Sequence, residues 1–529
     1  MELSLAFRIA TVLVVVSGFL LYQPASRWLR LRRYTRGRQL AKSSTKLPSI
    51  TKGLRWGNSI LPNSAAVRHF LAVGTTGSGK SIVTRLLMIE PLRRIQYRTD
   101  HRALIFDAKG DARSFLEHVR VNCPVFNLNP FSTSVHDHEN YAWDIAKDIT
   151  SPARAQNLAA SLLPSEKSGN NQYFTDAARQ VLIGIVESLI LHSPLEWQFS
   201  DLVYISLSKE RIQNVLERDE RGREVLDSFF GDDRTAYQVF TTIVSRMAYY
   251  KPVASLWQNQ KQRISVRQWL SSDSILLLGS NATVKTSLDA INQQIFRVLV
   301  EEIDIQTNSD SRRTWIWIDE ARLAGSLLHR DLIPYLAVKG RSRGAALVLA
   351  FQDIDGFREA AGDQIANEIV AQCSHKALLR MESDSSAAWA SKTLGQYETI
   401  EVFHSSHSTS SGTNTSEQRV QRDAVLPSEF FGIPETNRTN GLTGYFVSPK
   451  HGACKCNISV NDISRTFVTE RAESNSKLKL TQIEEGQWLE DWDEPDYRRL
   501  KLLFSPDRLK TSTQNQTISN LKPLNLASR

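Results

Sequence analysis

One octapeptide constrains the fold of this 529-residue chain more than any other segment: Gly74-Thr75-Thr76-Gly77-Ser78-Gly79-Lys80-Ser81. It fits the pattern G-x-x-x-x-G-K-[ST] and stands in the context that this pattern requires. The apolar run VRHFLAVG (67–74) precedes it as a strand, and IVTRLLMI follows it as the start of a helix. Glycines allow successive backbone N–H groups to surround a phosphate, and a helix N-terminus adds positive potential. The sequence therefore predicts a P-loop nucleotide site that binds ATP, in an α/β domain.

A P-loop site also predicts roles for particular side chains. Lys80 would bridge the β- and γ-phosphates, and Ser81 would bind Mg²⁺. The metal further needs a carboxylate at the end of a buried strand, and hydrolysis needs a base for water. Asp319 and Glu320, which end the run WIWIDE, supply both: Asp319 for the Mg²⁺ shell, through water, and Glu320 for the attacking water. The alternative for this acidic pair is a strand-to-helix cap.

Two further strand ends carry polar side chains that are candidates for the same site. Asp107 ends RALIFD; it lines the nucleotide site or caps a turn, with catalysis as the less favoured reading. Gln352 ends ALVLAFQ, where its amide would sense the γ-phosphate, unless it is simply a polar loop residue.

Three arginines are candidates for stabilising transition-state charge. Arg341 and Arg343 lie in KGRSRG, just before the strand that ends at Gln352, and either would act on the γ-phosphate of a neighbouring subunit. A solvated or DNA-facing arginine is the alternative. Arg380, which ends KALLR, is a weaker candidate, and a salt bridge explains it better.

Cysteine usage excludes a disulfide scaffold, because four cysteines in 529 residues cannot form one, and it indicates a reducing compartment. His451, Cys454 and Cys456 lie close together in sequence. Three potential ligands without a fourth nearby fall short of a zinc site.

The order of apolar runs predicts a parallel sheet with an all-helical insertion. Helical stretches separate most of the later runs, as parallel strands require. Between about 146 and 262 the strand signals vanish and only helical spacing remains. The predicted strands are VRHFLAVG (67–74), RALIFDA (102–108), PVFNL (124–128), SILLLGS (274–280), TWIWID (314–319), ALVLAF (346–351), KALLRM (376–381) and TGYFVS (443–448).

The N-terminal region is basic and apolar, and it differs from the rest of the chain. Residues 1–89 hold 14 Lys/Arg and one acid, so the remainder of this +9 chain carries −4. Residues 3–22 are apolar apart from Arg8, and arginines follow, which predicts one membrane span with the bulk in the cytoplasm. A peripheral helix and a cleaved signal peptide are the alternatives. The basic block fits a topology and anionic-lipid signal better than a DNA contact.

Three segments show no periodic pattern. Residues 41–66 are predicted to be a loop, and 405–416 (SSHSTSSGTNTS), with nine Ser/Thr, an exposed loop. From about 470 the chain alternates acidic and basic patches around Trp488 and Trp492 and then ends polar.

Taken together in order, five motifs over roughly residues 65–460 resemble the coupling proteins of conjugation and type IV secretion (TraD/TraG-like), within the FtsK–HerA superfamily of DNA pumps. The motifs are HFLAVGTTGSGKS, ALIFDAKGD, NQYFTDAARQVLIGI, WIWIDE and KGRSRGAALVLAFQD. The resemblance implies a RecA-like motor, a helical domain facing the cytoplasm, a homo-hexameric ring and ATP hydrolysis that drives DNA. It further implies relaxase or relaxosome proteins, secretion-channel proteins and the bacterial inner membrane as partners. Family members commonly begin with two membrane helices, whereas one span is predicted here.

These observations predict a membrane-anchored, ATP-driven DNA translocase that couples a DNA–relaxase substrate to a secretion channel. The alternative is a receptor or adaptor for protein cargo that uses ATP mainly as an assembly switch. The expected organisation is a transmembrane anchor (1–22), a basic juxtamembrane linker (23–66), the first part of a RecA-like motor (67–145), an all-α domain (146–262), the second part of the motor (263–465) and a variable tail (466–529).

Overall fold

The computed structural model describes residues 33–41, 53–132, 139–165, 172–406, 413–466 and 488–502. The predicted membrane anchor (1–22) lies outside these residues. Within them, none of the helices combines the length and the apolar character that a membrane span needs.

A ten-stranded mixed sheet forms the centre of the molecule, in the order β2-β17-β16-β13-β5-β12-β11-β6-β10-β7. Its seven strands from β13 to β7 are parallel, and each of the eight predicted apolar runs contributes one strand to the sheet. The described strands are β1 (Arg33–Gly37), β2 (Leu40–Ala41), β3 (Leu54–Trp56), β4 (Ser59–Leu61), β5 (Phe70–Val73), β6 (His101–Asp107), β7 (Val125–Asn127), β8 (Ala142–Trp143), β9 (Arg263–Ile264), β10 (Ile275–Gly279), β11 (Arg313–Ile318), β12 (Ala345–Phe351), β13 (His375–Leu378), β14 (Gln396–Ser406), β15 (Thr413–Asp423), β16 (Leu442–Ser448) and β17 (Gly452–Ile458).

The parallel strands have continuous apolar stretches because helices cover both faces of the sheet. Successive side chains of a strand point to opposite faces. On β5, Phe70 and Ala72 belong to one core cluster, and Leu71 and Val73 belong to the other. The continuous apolar runs in the sequence therefore reflect burial on two sides.

The described α-helices alternate with the parallel strands and also form a separate bundle. They are α1 (Lys80–Arg93), α2 (Ala112–Val119), α3 (Ile145–Asp148), α4 (Pro152–Leu162), α5 (Gln172–His192), α6 (Phe199–Ser206), α7 (Lys209–Leu216), α8 (Glu220–Phe230), α9 (Asp233–Met247), α10 (Lys251–Gln258), α11 (Val266–Leu270), α12 (Lys285–Asp304), α13 (Ile333–Lys339), α14 (Ile354–Ala361), α15 (Asp363–Gln372), α16 (Asp384–Leu394), α17 (Pro427–Phe431), α18 (Val460–Thr466) and α19 (Glu494–Arg499).

Helices α3 to α10 form the predicted helical insertion. Between Asp144 and Gln262 the described residues contain no strand. The two short strands that flank the insertion, β8 and β9, pair in parallel and bring its ends together. Its apolar side chains belong to the same core cluster as one face of the sheet, so the insertion is packed onto that face.

Two loop predictions are wrong in part. Within 41–66, β3 and β4 form a hairpin whose Leu54, Trp56 and Leu61 are buried in the core. Within 405–416, residues 405–406 and 413–416 extend the hairpin β14–β15, which also pairs with β1. Cross-strand ion pairs support this polar hairpin, and strands this polar or this short show no apolar run.

The segment that follows Trp488 returns to the helical insertion. Trp492 is 4% exposed, and its indole N–H donates to Asp201 of α6 at 3.1 Å. Arg499 donates to both oxygens of the same carboxylate, at 2.6 and 3.0 Å. Ser193 donates to the carbonyl of Leu500 at 2.8 Å. We call residues 488–502 the docked segment.

Candidate nucleotide-binding site

The P-loop connects β5 to α1 at the carboxyl edge of the parallel strands, where open α/β sheets bind ligands. Two of its glycines have positive φ, +77° at Gly77 and +94° at Gly79. A Cβ atom on Gly79 would lie 2.6 Å from Leu442 Cδ1 and 2.8 Å from Thr436 Oγ1. Only glycine satisfies both the backbone conformation and this close packing.

Lys80 begins α1 and folds back over its own loop. Its ammonium group donates to the carbonyls of Gly74 at 2.8 Å and Thr75 at 3.1 Å. Burial lowers the pKa of Lys80, and the carboxylates of Glu320 and Asp319 oppose this effect. The ammonium group is therefore held at the centre of the loop, where a phosphate would replace the two carbonyls.

Asp319 follows β11 and faces the start of α1. Its carboxylate accepts hydrogen bonds from Ser81 Oγ at 2.6 Å and Thr84 Oγ1 at 2.9 Å. Burial disfavours the ionised form, but Lys109 and these hydroxyl groups outweigh it and lower the pKa of Asp319. A hydroxyl group and an ionised carboxylate side by side offer the oxygen ligands that Mg²⁺ prefers, so the residues present fit this metal.

A cleft of about 380 Å³ brings together predicted site residues from three strand ends. Lys80 and Ser81 come from the P-loop, Glu320 follows β11 and Gln352 follows β12. Glu320 is 8% exposed, so its carboxylate lies largely out of bulk water at the edge of this space. The remaining lining residues are Thr76, Gly77, Gly79, Ile82, Lys109 and Thr436.

Lys109 and Thr436 line the cleft although the sequence did not single them out. Lys109 lies in the segment DAKGD after β6, a strand next to β11 in the sheet. Thr436 lies far along the chain; its backbone N–H donates to Gly77 O at 3.1 Å and its hydroxyl to Ser78 O at 2.8 Å. Because Lys109 follows a predicted strand, the sequence could have placed it at the edge of the sheet that holds the P-loop. No local sequence pattern around Thr436 predicts its contact with the P-loop.

Asp107 is a structural residue of the turn after β6. Its carboxylate accepts from the backbone N–H groups of Gly110 at 2.8 Å, Asp111 at 3.2 Å and Ala112 at 3.0 Å. Burial raises its pKa, against these hydrogen bonds. Of the readings given above, the geometry agrees with the cap of a turn.

The three candidate arginines do not enter this cleft. Arg341 and Arg343 lie in the 3₁₀ turn Gly340–Arg343 at the opposite end of β12. Arg343 pairs with Asp304 at 3.2 Å. Arg380 pairs with Glu382 at 3.0 Å, as the salt-bridge alternative expects.

Arg341 lines a second, larger cavity of about 920 Å³ at the amino edge of the parallel strands. Within the described part of the chain its side chain makes no hydrogen bond or ion pair. Asp310 is the acidic residue among the lining residues, whose basic side chains are Arg68, Arg313, Lys339, Arg341, Arg343 and Lys450.

His451 immediately precedes β17, the strand that carries the two nearby cysteines. Cys454 and Cys456 lie on β17 with their sulfur atoms 3.3 Å apart. Over the described ranges, no cluster of three or more His, Cys, Asp or Glu side chains is arranged to hold a metal ion.

Residues 56–451 match the family described as the type IV secretion-system coupling protein DNA-binding domain. No curated protein sequence matches the chain. Among solved structures, the bacterial conjugative coupling protein TrwBΔN70, unbound, has a TM-score of 0.62 at 19% identity, over 81% of this chain and 94% of that chain. TrwB with the ATP analogue ADPNP gives 0.62 at 20% over 81% and 95%, and TrwB with ADP and Mg²⁺ gives 0.61 at 19% over 81% and 94%.

The structural likeness confirms the predicted α/β fold with its helical domain. The family match spans well over half of the chain and includes the P-loop, the acidic pair after β11 and the whole helical insertion. The chain therefore belongs to the family of type IV secretion-system coupling protein DNA-binding domains.

Proposed function

We propose that this chain is an ATP-driven DNA translocase that couples a DNA–relaxase substrate to a type IV secretion channel. The observation that carries the proposal is the cleft in which Lys80, Ser81, Glu320 and Gln352 meet, with Asp319 bonded to Ser81. TrwB, which shares the fold, has been solved with ADPNP and with ADP and Mg²⁺, and this supports ATP and Mg²⁺ as ligands here.

Each side chain has a distinct task in this proposal. Ser81 and Asp319 would hold Mg²⁺, which would supply positive charge against the phosphate oxygens. Lys80 would exchange its loop carbonyls for phosphate oxygens. Glu320 accepts a hydrogen bond from the attacking water and polarises it, and Gln352 contacts the γ-phosphate. The backbone N–H groups of 74–81 cradle the remaining phosphate oxygens.

The position of Arg341 supports a ring in which it acts on the neighbour's nucleotide. Arg341 precedes β12 and Gln352 follows it. A strand rises about 3.3 Å per residue, so the seven residues of β12 hold the two ends roughly 20 Å apart. Arg341 cannot reach the cleft of its own subunit, and we propose a homo-hexamer in which it reaches the next one.

The same proposal assigns the remaining parts of the chain. The family description supports DNA as a partner. We place substrate recognition, including relaxase or relaxosome proteins, in the all-α domain (146–262), because it interrupts the motor without contributing to the cleft. Residues 1–22 are proposed as the anchor in the inner membrane, with 23–66 as a basic linker, 67–145 and 263–465 as the motor, and 466–529 as a variable tail.

ATP hydrolysis by the purified full-length chain, with and without single-stranded or duplex DNA, tests this proposal. We expect hydrolysis that DNA stimulates, and its loss in Lys80→Ala, because the phosphate charge loses its partner. Lys285→Ala is the control, since Lys285 pairs with Asp289 outside the cleft. Tight ATP binding without turnover under every condition would contradict a translocase and favour the adaptor that uses ATP as an assembly switch.

A further inference from the structure

Lys109 enters the cleft from a turn whose shape the protein fixes by itself. The carboxylate of Asp107 accepts three hydrogen bonds within this turn, from the backbone N–H groups of Gly110, Asp111 and Ala112. Gly110 has a φ of +74°, a conformation that favours glycine. The backbone of Lys109 is therefore held next to the P-loop without any contribution from a nucleotide.

The ammonium group of Lys109 contacts three oxygen atoms. It lies 3.0 Å from Ser81 Oγ, 3.0 Å from Asp319 Oδ2 and 3.3 Å from Glu320 Oε1. An ammonium group has three N–H donors, so these contacts use its full hydrogen-bonding capacity. The same oxygens are the ones that the proposed function gives to Mg²⁺ and to the attacking water.

A metal ion and this ammonium group exclude each other. Mg²⁺ binds oxygen at about 2.0–2.1 Å and needs an unobstructed octahedral shell. Ser81 Oγ and Asp319 Oδ2 lie 2.6 Å apart as donor and acceptor, and Nζ of Lys109 contacts both. A cation bound directly or through water to this pair would lie next to Nζ, where like charges repel strongly.

We propose that Lys109 is a positioning residue that occupies the place of Mg²⁺ while the site lacks nucleotide and leaves it when the metal enters. The inference rests on the proposed function of this cleft. Lys80 cannot take this role, because it donates to the carbonyls of Gly74 and Thr75. The side chain of Lys109 is 41% exposed, so it has room to rotate away. The arrangement balances the acidic pair without metal and makes Mg²⁺ enter together with a nucleotide, whose phosphates accept the displaced ammonium group.

Metal binding in the absence of nucleotide tests this role directly. Mn²⁺ serves as the probe for Mg²⁺, and the signal of the free ion in electron paramagnetic resonance gives its affinity for the purified full-length chain. We expect Lys109→Met to bind one Mn²⁺ at least about tenfold more tightly than the wild type. Lys109→Arg keeps the positive charge and should bind as weakly as the wild type.

Matched variants separate this role from a general effect of removing a lysine. Lys285→Met removes a lysine of similar exposure, 49%, from an ion pair on α12 and should leave Mn²⁺ affinity unchanged. Adding Asp319→Asn to Lys109→Met should abolish the tighter binding, because the proposed carboxylate is gone. Equal Mn²⁺ affinity in folded Lys109→Met and the wild type would overturn the proposal, as would an equal gain in Lys285→Met.

Thermal unfolding gives a second readout. Lys109→Met should have a lower melting temperature than the wild type without metal, because Asp319 and Glu320 lose their cation, and Mn²⁺ should restore it. If Lys109→Met does not fold, Lys109→Gln replaces it, and we expect the same changes in Mn²⁺ affinity and melting temperature. A wild-type chain that binds no ATP would contradict the proposed function, whereas the nucleotide-free metal titration still decides the role of Lys109.

Discussion

Glu320 has an immediate neighbour that the acidic pair in the sequence does not reveal, the ammonium group of Lys109 at 3.3 Å. We predict that Glu320→Gln binds ATP with affinity within about twofold of the wild type but loses roughly 10²–10⁴ in turnover, since the amide cannot accept a proton. Nucleotide titration and a steady-state hydrolysis assay check the two parts. Glu359→Gln, at an exposed ion pair with Arg322, is the control, and undiminished turnover in Glu320→Gln would remove it as the base.

The burial of the His69 ring leads to a prediction of how the free energy of unfolding depends on pH. Its ring is buried, and it contacts Ala337 O through Nε2 at 3.0 Å and the backbone N–H of Leu347 through Nδ1 at 3.1 Å. Burial lowers its pKa to about 4. Because the folded pKa lies below the unfolded value of about 6.5, the neutral ring stabilises the fold above pH 6.5, and this stabilisation is lost as pH falls towards 4.

We therefore predict that the wild type loses about 2 kcal/mol from this group between pH 7 and pH 5. His69→Gln should be less stable at pH 7 and should lose less over the same range. Urea denaturation at several pH values measures the difference, with His329→Gln, at an exposed position, as the control. Identical pH profiles for His69→Gln and the wild type would contradict the assignment.

At the scale of elements, we predict that the contact between the docked segment and the helical domain contributes to the free energy of unfolding. Arg499 pairs with Asp201, whose side chain is only 2% exposed, so Arg499→Met leaves a buried charge without its ionic partner. We expect a loss of roughly 2–4 kcal/mol in the free energy of unfolding, measured by urea denaturation. Arg498→Met removes the neighbouring arginine from an exposed pair with Glu494 and should cost less than about 1 kcal/mol. Equal losses in the two variants would show that the buried contact contributes nothing specific.

Whether an element could be predicted from the sequence depends on how that element is stabilised. The parallel strands and the helices of the insertion carry apolar patterns because they are buried by the core, and those patterns were sufficient. The hairpin β14–β15 is held by backbone pairing and by ion pairs such as Arg422 with Glu401, at 2.9 Å, which leave no apolar run. Thr436 and Trp492 reach their partners, Ser78 and Asp201, across hundreds of residues, so no local pattern reports them.

At the scale of the whole molecule, the separation of Arg341 from its own cleft predicts that hydrolysis requires a ring. Specific activity should rise steeply with protein concentration, and DNA threading the ring should lower the threshold. Arg341→Ala and Glu320→Gln should each be inactive alone, but mixed rings pair an intact base with an intact arginine and should recover partial activity. The rate is measured across mixing ratios, with Arg343→Ala replacing Arg341→Ala in a parallel series.

Two outcomes of that mixing experiment are decisive. No recovery at any ratio, in rings shown to be mixed, would leave Arg341 without a role in the neighbouring subunit. Activity that stays constant on dilution to demonstrable monomer would contradict the ring itself.

Because the docked segment is attached to the helical domain, it also limits how far from that domain a molecule bound to the following residues can be. Residues 503–529 continue from Leu502, which lies on the helical domain, and not from the end of the sheet. Whatever conformation these 27 residues adopt, they extend at most roughly 95 Å from that point. A molecule bound to their far end is confined to a sphere that corresponds to at least about 0.5 mM relative to the helical domain. At that concentration, a contact with the helical domain too weak to detect between separate molecules becomes substantially occupied.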